Sequence, residues 1–254
     1  MTHSDALNLD SLQALRLQME WGADEALLDA PLDRLSRVAP GMDAPRRMLT
    51  RSEPAAVARP AATRAPVVAE TLDALHDALA AFTGCPLRAT ATTTVRPSGN
   101  PTAGLLMIGE APGAEDDRTG QAFSGLPGQT LDRVLGSAGL DRTGLLLTTL
   151  VPWRPPGNRA PNEAEIQACL PYLLRLIAIA RPERLVLLGA APVKALLGGT
   201  EAARRLRGRW QTASCGEVQI PALPMLPLDQ WLRSPAAKRD TWADLLSLRS
   251  DVSR

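Results

Sequence analysis

The sequence predicts an α/β protein of three layers, with a central four-stranded parallel sheet between helices. Two observations carry that prediction. Four short apolar runs, at 105–110, 145–151, 184–189 and 218–226, have the length and bounding turns of strands. Amphipathic helical stretches fall between them. Strands alternating with helices at this spacing give a mostly parallel sheet covered on both faces.

The helices follow in order. One spans about 127–138, with Leu131, Val134, Leu135 and Ala138 on one face and Gly139 as its stop. The next begins at Asn162, where Glu165 three residues on completes a capping box. Its apolar face is Ile166, Cys169, Leu170, Leu173 and Ile177. A third, 190–197, follows the third strand directly. These elements belong to a domain over 69–250. Ahead of it, residues 1–38 read as a helical extension, with Leu12, Leu15 and Met19 on one face. Residues 39–68 read as a linker, because Pro40, Pro45, Pro54, Pro60 and Pro66 oppose regular structure. Its arginines, Arg46, Arg47, Arg51, Arg59 and Arg64, fit a solvated tether; the alternative is a basic arm attracted to phosphate.

Composition narrows the function classes. The chain has 254 residues, 45% of them apolar, enough for a sizeable core. A net charge of +1 means that any nucleic-acid footprint is local. Only Lys194 and Lys238 are lysines, so arginine supplies the cations. Cys85, Cys169 and Cys215 lie too far apart for a disulfide framework. Neither a signal peptide nor a membrane-spanning run is visible, and the expectation is a cytoplasmic monomer with no membrane partner.

In an open parallel sheet ligands bind beyond the carboxyl ends of the strands. Three segments lie there. The first reads GEAPGAEDDRTGQAFSG, from Gly109 to Gly125. It lacks the lysine and hydroxyl of a phosphate loop, and it lacks GxGxxG, which leaves a nucleotide-binding α/β protein a remote alternative. Glu110 is the catalytic candidate; the plainer reading is a carboxylate satisfied by loop amides. Glu115, Asp116 and Asp117 read as a solvated turn. Phe123 either stacks on a base or anchors the loop. The second segment, PWRPPGNR, holds Arg154 and Arg159 at the ends of a stiff loop, which suits a phosphate backbone or a plain prolyl turn. The third, PLDQWLRSPAAKR, sets Trp231 beside Leu232 and Arg233. Apolar wedges flanked by cations hold open a DNA stack in some proteins; the plainer reading puts Trp231 in the core at the start of a last helix.

Taken together, GEAPGAEDD with its following phenylalanine, RPPGNR, NEAEIQAC, LLGAAPVKALLG and WLRSPAAKR resemble, in this order, the family 4 uracil-DNA glycosylases. The WGADEAL segment and the prolyl linker look like the alphaproteobacterial branch. The resemblance implies a four-stranded parallel sheet between helices, DNA as partner, and hydrolysis of the N-glycosidic bond of a flipped-out uracil. It assigns Glu110 to positioning or activating water. Ala111, Pro112 and Gly113 are assigned to backbone contact with the base, Phe123 to stacking, and Arg233 to DNA.

Several positions depart from the family pattern. Where the family has an asparagine reading the uracil edge, the chain has Thr149, a shorter polar contact. Where it has the histidine that stabilises the uracil anion, the chain has Pro227; Arg233 is a candidate substitute. The only histidines are His3 and His76. Of the four cysteines that hold the family's iron–sulfur cluster, Cys85 and Cys169 remain, while Phe82 and Trp153 stand at the other two positions. The expectation is no metal and no cluster, with aromatic packing in its volume. Two functions follow: a glycosylase, slow or altered in base choice, or a DNA-binding paralogue without chemistry.

Overall fold

Leu105, Leu106, Met107, Ile108 and Gly109 are all buried, as in a strand with no solvent side. The computed structural model describes residues 69–198 and 203–252. The extension and linker expected over 1–38 and 39–68 lie outside the described residues. Among these residues the strands are β1 (Ser98–Gly99), β2 (Leu105–Gly109), β3 (Leu145–Thr149), β4 (Arg184–Leu188), β5 (Gln211–Cys215) and β6 (Val218–Met225). They form one sheet in the order β1-β3-β2-β4-β6-β5. The inner strands β3, β2, β4 and β6 are parallel, as the sequence predicts.

β1 and β5 pair antiparallel to β3 and β6 and correct the four-stranded expectation to six. β1 has two residues and no pattern to read. β5, with the sequence QTASC, is too polar to stand out as a buried strand. Its signal lies in the turn: Cys215 pairs with Val218 across Gly216 and Glu217. Gly216 has φ +72°, which suits a two-residue turn with glycine first.

The helices are α1 (Leu72–Ala81), α2 (Ala114–Thr119), α3 (Gly125–Ser137), α4 (Glu163–Ala180), α5 (Ala190–Leu197), α6 (Ala203–Leu206) and α7 (Pro235–Val252). α4 starts at the expected capping box. Asn162 Oδ1 accepts from Glu165 N at 2.9 Å, and Glu165 Oε2 accepts from Asn162 N at 2.8 Å.

The strands' two-residue period divides the core. Leu106, Ile108, Leu146, Leu185 and Leu187 pack with Leu75 of α1, Ile166, Cys169 and Leu173 of α4, and Val193 of α5. Leu105, Met107, Leu145, Leu147 and Val186 pack on the other face with Leu131 and Leu135 of α3 and Leu245 and Leu248 of α7. The three-layer expectation holds. Burying each such side chain contributes roughly 1.5–3 kcal/mol.

Three aromatic rings close one side of the first layer. Phe82 stacks on Trp153, with centroids 6.3 Å apart and planes 21° from parallel. Tyr172 of α4 meets Phe82 at 5.0 Å. Trp153 is fully buried, and its Nε1 donates to Thr94 Oγ1 at 3.1 Å. The group joins the end of α1, the loop after β3, and α4.

The acidic run after β2 is not the solvated turn expected. Asp116 and Asp117 are buried. Asp116 accepts from Gly113 N at 2.9 Å and Ser124 N at 2.6 Å, tying both ends of the first loop together. Asp117 accepts from Thr92 N at 2.8 Å and Thr93 N at 3.0 Å. Their negative charge also sits in the first turn of α2, where the peptide dipoles favour it. Only Glu115 of this run faces solvent, paired with Arg118 at 2.7 Å.

Two stability outcomes follow. Trp153→Ala lowers the unfolding free energy by about 3–5 kcal/mol, the cost of deleting a large buried ring; the fall in urea midpoint at constant slope reads it. Asp116→Ala leaves two loop amides without an acceptor and costs about 1–3 kcal/mol. Glu115→Ala, in the same scan, stays within about 0.5 kcal/mol.

Candidate active site

The carboxyl ends of the four parallel strands open onto one cavity of about 500 Å³. Gly109 lines it from β2, Thr149 from β3, Leu188 from β4 and Pro227 from just beyond β6. This is where an open parallel sheet places its ligands.

Phe123 lines the cavity and is 7% exposed. Its ring lies against Gly109, whose added Cβ would come within 2.8 Å of the ring's Cζ. The backbone has φ +55°, a left-handed conformation that costs a non-glycine residue about 1–3 kcal/mol. Two contacts hold it. Arg142 Nη2 donates to Phe123 O at 2.7 Å. Gly128 of α3 approaches the same oxygen so closely that a Cβ there would lie 1.9 Å away. The surroundings thus over-determine the position of the ring.

Glu110 also lines the cavity. Its Oε1 accepts from Ala190 N at 2.7 Å and Ala191 N at 3.1 Å, the first amides of α5. The plainer reading of Glu110, a carboxylate satisfied by amides, therefore describes one oxygen, and the amides come from across the sheet rather than from its own loop. Gly189 makes room: its φ is +96°, and a Cβ there would fall 2.4 Å from Glu110 Oε1. One oxygen is fixed by a helix N-terminus, and the residue is only partly buried.

The other expected residues separate into those brought to the cavity and those taken elsewhere. Ala111 and Gly113 line it. Pro112 is buried and lies outside the lining. The Gly113 amide, expected to face a base, donates to Asp116 instead. Thr149 lines the cavity and is nearly buried. Its hydroxyl donates to Val151 O at 2.8 Å, so it offers a ligand lone pairs and no proton.

The cationic and aromatic residues expected at DNA are more dispersed. Arg154 binds Asn158 Oδ1 at 2.7 Å. Arg159 grips Glu165 with two nitrogens, at 2.6 and 2.9 Å, and holds that buried carboxyl below its usual range. Neither lines the cavity. Trp231 corrects the wedge expectation: it is fully buried and donates from Nε1 to Leu226 O at 2.8 Å. A side chain locked in the core in this way anchors the loop. The exposed apolar side chain there is Leu232, 47% exposed at the cavity. Arg233 lines an adjoining cleft with Arg204 and Arg207, so it does not stand in for the missing histidine. His76 is on α1, outside the lining; burial lowers its pKa.

Sequence reasoning missed Leu126, Thr130, Asp116 and Asp229, all of which line the cavity. Leu126 is 75% exposed. An apolar residue between Gly125 and Pro127, just outside the expected helix, was the available signal. Asp229 gives none, since its place depends on the turn Leu228–Gln230.

The iron–sulfur cluster implied by the resemblance does not fit the residues present. Cys85 and Cys169 are buried free thiols. Interaction between the two thiols lowers the pKa of Cys85 and raises that of Cys169, which burial raises further. Phe82 and Trp153 occupy the other two positions and stack on one another. Two thiols beside packed rings do not provide four thiolates.

The chain matches the family model of the Uracil DNA glycosylase superfamily over residues 96–246. It is 35% identical to the type-4 uracil-DNA glycosylase of Pyrobaculum aerophilum over 178 residues, 68% of this chain and 91% of that protein. It is 31% identical to the type-4 uracil-DNA glycosylase of Saccharolobus solfataricus, covering 72% of this chain and 88% of that protein. The type-4 uracil-DNA glycosylase of Archaeoglobus fulgidus is 37% identical over 47% of this chain and 60% of its own length. The cavity at the strand ends, the fixed Phe123 and the anchored Glu110 are thus features of a chain that belongs to the uracil DNA glycosylase superfamily, family 4-like.

Proposed function

We propose that this chain is a base-excision DNA glycosylase. It hydrolyses the N-glycosidic bond of uracil or a related damaged base, and it does so slowly on uracil. The observation that carries the reading is that one cavity is lined by both Glu110, a carboxylate with one oxygen fixed, and Phe123, a ring on a strained backbone. A flat base flipped out of DNA stacks on Phe123. The second oxygen of Glu110 orients a water toward the anomeric carbon and takes its proton. The negative carboxylate also favours the oxocarbenium character that develops on the sugar as the bond breaks. Arg233 and the adjoining cleft carry the phosphate backbone. No step calls on a cluster.

The departing uracil carries negative charge, and among the described lining residues only the Thr130 hydroxyl is a side-chain donor left for it. Pro227 has no side-chain donor, and the proton of Thr149 is already given to Val151. Losing one preorganised donor to a developing anion costs about a hundred- to thousandfold in rate.

Uracil-containing single- and double-stranded DNA, incubated with excess protein and then treated with alkali, breaks at the uracil. Glu110→Gln removes that scission while binding to the same DNA, read by gel shift, persists. Binding without scission by the native chain instead identifies a DNA-binding paralogue. The double change Thr149→Asn with Pro227→His raises single-turnover uracil release by about a hundred- to thousandfold; an unchanged rate means that these positions do not face the base edge.

A further inference from the structure

Resting on the reading of this cavity as a base pocket, we infer that its preferred substrate is a positively charged base, an N-alkylated purine such as 7-methylguanine, rather than uracil. The charge of the lining argues for it. Glu110, Asp116 and Asp229 all line the cavity, and among the described residues no arginine, lysine or histidine does. Hydrogen bonds from backbone amides to Glu110 and Asp116 fix those carboxylates without supplying a full opposing charge. Such a pocket opposes a leaving anion and attracts a cation.

Hydrogen-bond polarity agrees. The second oxygen of Glu110, the lone pairs of Thr149 and the carboxylate of Asp229 are acceptors, and Thr130 adds one hydroxyl that can donate or accept. The uracil edge presents two carbonyl acceptors and one N–H donor, so it meets acceptors with acceptors. A 7-methylguanine edge presents an N–H and an amino group, which are donors, beside a single carbonyl acceptor, the reverse of the uracil balance. Its cationic ring also gains from lying on the face of Phe123, since a ring's quadrupole attracts positive charge. Leu126 and Leu232 stand exposed at the rim. They frame an opening without adding charge.

The chemistry of departure completes the case. In 7-methylguanine the bond between C1′ and N9 breaks with its electron pair passing to the base. That pair neutralises the positive ring, and the base leaves uncharged. Water adds its oxygen to C1′, giving the hydroxyl of an abasic site. Its proton passes to the Glu110 carboxylate and from there to solvent. No donor to a leaving anion is required, so Pro227 and the committed hydroxyl of Thr149 cost this reaction nothing.

The test uses the full chain with two duplexes of one sequence, one carrying a single 7-methylguanine and one a single uracil. Released base is quantified by mass spectrometry against a protein-free blank that records spontaneous depurination. The expected result is 7-methylguanine release at least tenfold faster than uracil release, with Glu110→Gln returning both to the blank. Asp229→Asn, checked for native unfolding temperature, slows 7-methylguanine release and lowers the ratio of 7-methylguanine to uracil release. Thr149→Asn with Pro227→His shifts the ratio toward uracil. Uracil release with 7-methylguanine at the blank overturns the inference and leaves the glycosylase reading standing. If neither base is released, both fall.

Discussion

The continuous burial of β2 is the constraint from which the rest follows. A strand with all five residues buried must have helices on both faces. α1, α4 and α5 cover one side, and α3 and α7 cover the other. Parallel pairing with β3 and β4 then brings the carboxyl ends of the strands to one edge. The loops that leave this edge have the packed sheet behind them and open space ahead, so their side chains meet in one cavity.

Within that cavity, position is fixed by carboxylates on backbone amides. Asp116 joins the start of the first loop to Ser124, Asp117 holds the segment at Thr92 and Thr93, and Glu110 reaches the N-terminus of α5. Charge-assisted bonds of this kind are short, and each satisfies a donor that packing alone would leave open. Asp116 at Ser124 adds to the hold of Arg142 and Gly128 on the Phe123 carbonyl, and a left-handed aromatic residue persists only where its neighbours leave no alternative. The same bonds leave the cavity with negative charge and few free donors. Fixed side-chain positions and a negatively charged lining thus go together in this cavity.

The region of the family's iron–sulfur ligands tells a parallel story. Phe82, Trp153 and Tyr172 join the end of α1, the loop after β3, and α4 by ring packing. Cys85 and Cys169 stay beside each other as buried thiols. The link between these three segments is independent of the ligand count. Dispersion and burial suffice where large rings fill the volume.

The sequence by itself determined the layers, the parallel core, the capped start of α4 and the family, because apolar periodicity, cap residues and ordered motifs are local along the chain. It also marked Glu110 and Thr149, which fall where strands end, and Phe123 in the segment that follows β2. Local signals stop short of contacts between distant segments. That Asp116 is buried, that Glu110 rests on α5, that Trp231 faces the core while Leu232 faces the cavity, and that Arg159 turns to Glu165 were decided by tertiary structure alone. In each case the deciding factor is whether a polar group finds a partner or an apolar one finds cover. The partner comes from another loop or another strand, which no spacing in the sequence encodes.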